Sequence, residues 1–139
     1  MADLIYASFK EGLGKGHFNL AADTVRCALL TSAYAPSAGH AALADVAASE
    51  TAGAGYAAGG QALSGVAWTL SGTSAALAAA DPSWTEASIT ARYALIYVAK
   101  TVGGRTNPLV CLLDFGADRG VTGGTFSVRF DASGVLALE

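Results

Sequence analysis

Two apolar runs constrain this chain more than any other feature. Ser88–Ala99 and Pro108–Phe115 are strand-length segments within Trp84–Phe115, joined by the glycine-containing connection Thr101–Asn107. Side chains alternate between the two faces of an extended chain. On that spacing Ile89, Ala91, Tyr93, Leu95 and Tyr97 share one face of the first run. Thr90, Arg92, Ala94, Ile96 and Val98 share the other, which is also apolar from Ala94 onward. The second run sets Leu109, Cys111, Leu113 and Phe115 against Val110 and Leu112. A strand apolar on both faces needs cover on both. The pair is therefore expected at the centre of a β structure, as core rather than chemistry.

Around this pair the sequence reads as short elements. Asp3 is an expected N-cap for a helix of about ten residues with Ile5, Phe9 and Leu13 on one stripe, ended by Gly12, Gly14 and Gly16. Asn19–Asp23 is turn-like and Thr24–Thr31 is the first strand, with Val25, Cys27 and Leu29 facing one way. Ser32–Gly39 is a loop, Ala41–Ser49 a short helix around Leu43 and Val46, and Gly53–Gly60 a tightly turned connection. Ala62–Leu70 and Ser74–Ala80 form an expected hairpin about Ser71-Gly72-Thr73. Gly116–Gly124 is expected as a loop. Thr125–Asp131 alternates, with Phe126, Val128 and Phe130 inward, and Val135–Leu138 is a last strand after the turn Asp131–Gly134. The sum is a mainly β, single-domain antiparallel β-sandwich or barrel of about seven or eight strands with a short N-terminal helix, spanning residues 1–139.

Length and composition agree with one domain able to bury a core unaided. Charged residues make up 14% of the chain, against about a quarter in a typical soluble domain. So few charges suggest that part of the surface is covered by a partner. A net charge of −3 without a basic stripe argues against nucleic acid, and no apolar run reaches membrane-spanning length. The first residues, MADLIYASFKEGLGKG, lack the pattern of a secretory leader, so synthesis in a cytoplasm is expected. Cys27 and Cys111, both in apolar strand contexts, are then expected as free buried thiols.

Candidate chemistry is sparse. His17 and His40 are isolated, and neither C-x-x-C nor H-E-x-x-H is present. Asp114, Asp118 and Asp131 have no calcium-loop spacing and are expected as loop caps. Gly53–Gly60 lacks the Lys-Ser/Thr of a phosphate loop. Trp68 and Trp84 are expected as core rather than as ligand-stacking aromatics. Arg92, on a largely apolar face, is expected to pair with Glu86 or Asp114 or to lie at a subunit contact. No catalytic, cofactor-binding or metal-binding residue is assigned, and no small-molecule substrate is expected.

Six blocks in order carry a resemblance: Leu4-Ile5-Tyr6 with Phe9-Lys10, NLAADTVRCALLTSAYAP at Asn19–Pro36, GAGYAAGGQAL at Gly53–Leu63, WTEASITARYALIY at Trp84–Tyr97, NPLVCLLDFGAD at Asn107–Asp118, and GTFSVRFDASGVLAL at Gly124–Leu138. Together they resemble a group of small tailed-bacteriophage virion proteins, from which only the alanine-rich segment Ala67–Ala80 departs. The resemblance implies a non-enzymatic virion structural protein made in the host cytoplasm. The expected role is a capsid decoration, or cement, protein that binds the major capsid protein on the outer head surface as a homotrimer. The alternative is a tail component or receptor-binding module presenting Ala99–Asn107 and Gly116–Gly124.

Overall fold

The computed structural model describes residues 2–138. In chain order it contains β1 (Leu4–Ile5), α1 (Ala7–Gly14), β2 (Val25–Leu30), two 3₁₀ turns (Leu43–Asp45 and Ala47–Ser49), β3 (Gln61–Ala62), β4 (Ala67–Ser71), β5 (Ser74–Ala78), β6 (Ser83–Val98), β7 (Thr101–Val102), β8 (Arg105–Thr106), β9 (Leu109–Ser127) and β10 (Leu136–Leu138). All strand pairs are antiparallel. One sheet has the order β1-β9-β6-β2-β3, a second β10-β5-β4, and β7-β8 is a separate hairpin. The sheets do not close on themselves, which settles the choice between sandwich and barrel against the barrel.

The two apolar runs form the middle of the larger sheet, covered on both faces. One face packs Val25, Cys27 and Leu29 of β2 with Ala94, Ile96 and Val98 of β6, under Phe9 of α1 and Leu77, Val135 and Leu136 of the smaller sheet. The opposite face packs Ala28, Leu30, Tyr93, Leu95, Tyr97 and Leu112 against Tyr6, Tyr34 and Val46. Leu95 and Ile96 are fully buried on opposite faces, each contributing about 2–3 kcal/mol of transfer free energy.

The register departs from simple alternation, and this corrects the expected faces of β6. Tyr93 opposes Asp114, but Ala91 opposes Arg119. A single residue, Arg92, therefore faces the segment Phe115–Asp118 in a wide bulge. The bulge reverses the side-chain alternation. Ile89 and Ala91 consequently join the cluster of Ala94, Ile96 and Val98, not that of Tyr93, Leu95 and Tyr97. Arg92 Nε donates to Asp114 Oδ1 at 3.2 Å, so the cation amid apolar neighbours is balanced by one of its two expected partners. A second slip lies at Glu86, whose φ is +49°.

Four other expectations change. Asp3 does not cap the helix: its carboxylate accepts the Asp114 N–H at 2.7 Å, while Leu4 and Ile5 pair with Leu112 and Cys111. Pairing with a central strand outcompetes an extra helical turn, and α1 starts after Tyr6 without a side-chain cap. Ala41–Ser49 forms two 3₁₀ turns; the first is held by Asp45, which accepts the Ala41 and Ala42 N–H groups at 2.9 and 3.1 Å. The segment Ala62–Leu70 is not one strand. Gln61–Ala62 pairs with β2, and the chain then crosses, through Gly65 at φ +62°, into the smaller sheet. Finally, Gly116–Gly124 is the continuation of β9 and not a loop. The hairpin about Gly72-Thr73, the inward Phe126, Val128 and Phe130, and the last strand are where expected.

Candidate functional site

Beyond the Arg92 bulge the larger sheet narrows to a ribbon of two strands. On β6, β2 reaches only residues 93–98, and on β9, β1 reaches only residues 111–112, so among the strands Ser83–Ala91 and Arg119–Ser127 have only each other. One face is anchored in the core through Trp84, Ala87, Ile89 and Phe126. Trp84 meets the Phe126 ring edge-on at 6.4 Å and the Tyr56 ring at 5.8 Å. The other face exposes Thr85, Ser88, Thr90, Gly120, Thr122 and Ser127. It is a surface of hydroxyls and glycine, hollowed where Ser88, Thr90 and Thr122 meet Thr31 and Ala52.

The two edges of the ribbon differ. The β6 edge is covered by the chain at Thr51–Gly55: Ser88 N–H donates to the Ala54 carbonyl at 3.0 Å, and Thr51 Oγ1 donates to the Thr90 carbonyl at 3.0 Å. That approach needs glycine, since a Cβ on Gly55 would lie 2.8 Å from Ala87 Cα. The β9 edge from Phe115 to Ser127 has no strand partner among the described residues. An open strand edge is a template for pairing with another chain. Near it Phe115, Gly120, Thr125 and Phe126, with Arg119 and Arg129, line a concavity of about 510 Å³.

The residues singled out by sequence do not converge elsewhere. Cys27 and Cys111 lie on opposite sides of Ile96 in the same sheet, two strand spacings apart. That is about 10 Å, too far for a disulfide, and both thiols are free and buried. Burial pushes the Cys27 thiol up to about 12 and that of Cys111 higher still. Asp114 is held by Arg92 and the Gly116 N–H, Asp131 by Ser133, and Asp118 is exposed. Among the described residues no three His, Cys, Asp or Glu side chains form a group able to hold a metal ion. No helix there is long and apolar enough to cross a membrane. The His17 ring packs over Gly103. His40 Nδ1 lies 2.8 Å from the Tyr34 hydroxyl, which in turn meets Tyr6 at 3.0 Å. That row of hydroxyls fastens the loop after β2 to the sheet, and burial raises the Tyr6 and Tyr34 phenols above their usual range.

Gly53–Gly60 is a structural turn. Glu50 accepts from Tyr56 and from the Gly59 N–H at 2.6 and 2.7 Å, and Tyr56 in turn accepts the Leu29 N–H at 3.0 Å. Arg26 donates to the Tyr97 hydroxyl and the Gly60 carbonyl, and Tyr97 donates to the Gly59 carbonyl. With every partner engaged, this network fixes the loop on β2. What stays open is the ribbon.

No protein-family model, curated protein or solved structure matches the chain. The site therefore rests on its own geometry. Sequence reading missed the ribbon because glycine at 116, 120, 123 and 124 reads as loop. The signal that marks it is the alternation Ala87–Ser88–Ile89–Thr90, apolar on one side and polar on the other.

Proposed function

We propose that this chain is a non-enzymatic virion structural protein, most specifically a capsid decoration protein. In this reading the ribbon Ser83–Ala91/Arg119–Ser127 meets the major capsid protein or a neighbouring copy on the outer head surface, within a homotrimer. The observation that carries the proposal is the open β9 edge beside a hydroxyl-rich face, with Glu86 and Arg119 the charged residues of the ribbon. Such an edge supplies backbone donors and acceptors to an incoming strand, whose pairing offsets the desolvation of both. Nine residues in each strand make a ribbon of about 30 Å, the right scale for a contact burying about 800 Å² on each partner. The resemblance of six sequence blocks, in order, to tailed-phage virion proteins supports the same reading.

The test is cosedimentation of the purified chain with expanded, undecorated capsids, followed by cryo-electron microscopy of the particles. Density at three-fold or quasi-three-fold positions, with the ribbon at the contact, is expected. Absence from heads together with density along the tail would replace this reading with a tail role.

A further inference from the structure

The cations of the chain divide into two groups. Lys15 and Arg105 pair with Glu11, Lys100 with Asp23, and Arg92 with Asp114. Arg26 is held by the Tyr97 hydroxyl and the Gly60 carbonyl. Three cations remain outside these pairs: Lys10, Arg119 and Arg129. Among the described residues Arg129 has no ion pair or side-chain hydrogen bond, and Arg119 only a long bond of 3.5 Å to the Phe115 carbonyl. Two of these three line the same concavity, together with Thr125, Ser127, Phe115 and Phe126. The backbone brings them there: Gly123, at φ +60°, lies between Gly120–Val121 and Thr125–Ser127, where the ribbon register slips.

We infer that this concavity is a carboxylate-binding site that takes an aspartate- or glutamate-bearing segment of a partner polypeptide. Two guanidinium groups supply charge-assisted donors, hydroxyls supply further donors, and the Phe115–Phe126 pair (ring centroids 6.1 Å apart) supplies an apolar floor for the residue beside the acid. The surroundings select a single negative charge. Asp3, Asp114 and Asp131 line the neighbouring depression that Arg129 also borders, and the chain is acidic overall. A polyphosphate or nucleic-acid backbone would meet those carboxylates; a lone carboxylate need not. The inference holds for the isolated chain, whether or not it belongs to a particle.

The experiment is an NMR titration of the whole chain with the capped peptide acetyl-Ala-Asp-Leu-Ala-amide, with its Asn counterpart, and with inorganic phosphate. The Asp peptide should give saturable shifts at the Gly120, Thr125 and Ser127 amides, and the Asn peptide should bind about tenfold more weakly. Arg119→Gln and Arg129→Gln should each weaken binding about fivefold and the double variant abolish it, while Lys10→Gln leaves it unchanged. All variants are at solvent-facing positions, and matching thermal melts establish that they fold. Equal binding of the Asn peptide, no saturable shift, or full binding by the double variant would overturn the site. Tighter binding of phosphate than of the Asp peptide would overturn its preference for a single carboxylate.

Discussion

At Gly60 the loop chain runs so close to β2 that any Cβ would collide with the Cys27 carbonyl, and the backbone is left-handed at φ +73°. Gly72, at φ +62°, has open space around its Cα. The pair separates steric collision from backbone strain. Gly60→Ala should cost about 3 kcal/mol or more, and Gly72→Ala about 1 kcal/mol, in urea unfolding. Equal costs would show that the loop does not need its close seat on β2. The buried thiols make a second residue-scale prediction. Their folded ionisation lies well above the ordinary thiol range of about 8.5, so the folded state holds protons that the unfolded chain has lost. Stability is then fully present below about pH 8.5 and falls as pH rises towards the folded value of about 12 for Cys27. The raised Tyr6 and Tyr56 phenols add to the same alkaline loss. A thiol reagent at pH 8 should leave both cysteines unmodified in the native protein and label both in denaturant. Rapid native labelling of either one would contradict its burial.

Among the elements of the two main sheets, the β4–β5 hairpin is thinly held. Apart from Leu77, which is fully buried opposite Leu136, the β5 strand offers only half-buried Ser74, Ala75 and Ala76 and exposed Ala78. Leu77→Ala should therefore destabilise the protein by about 2–5 kcal/mol and raise hydrogen exchange through β4, β5 and β10 ahead of β6. Uniform exchange across both sheets would mean that the two unfold as one unit. How far the elements were legible follows from the same physics. β2, the core halves of β6 and β9 and the terminal strand were readable because apolar content there is dictated by burial. The faces of Ile89 and Ala91 were not. Whether Arg92 opposes one residue or four is settled by the partner strand, and the sequence around position 92 carries no record of it. Gly116–Gly124 was misread for a related reason. Glycine lowers the intrinsic preference for strand, but β6 supplies a ladder that overrides it. Asp3 carried a helix-cap signal that the pairing of Leu4 and Ile5 with β9 displaced. The candidate ribbon was hidden along with these, being built from the misread segment.

For the whole molecule, few charges and an open edge predict how it would attach to a larger body. If the ribbon carries the contact through backbone pairing and hydroxyls without the Arg119–Arg129 site, cosedimentation with capsids should change little between about 0.1 and 0.5 M salt, since screening acts on charges. Sedimentation velocity of the free chain would report trimers directly, and a lone monomer at high concentration that also ignores capsids would remove the decoration role. The pairing of Leu4 and Ile5 with Leu112 and Cys111, reinforced by Asp3 on Asp114, bears on a different stage of the protein's life. A ribosome delivers the first residues long before the strand they pair with, and β9 must enter between β1 and β6 to join them. Until then the early strands have an unfilled side and the N-terminal segment has no place in the sheet. The sheet thus closes only once β9 has been made, through contacts distant in sequence and slow to form.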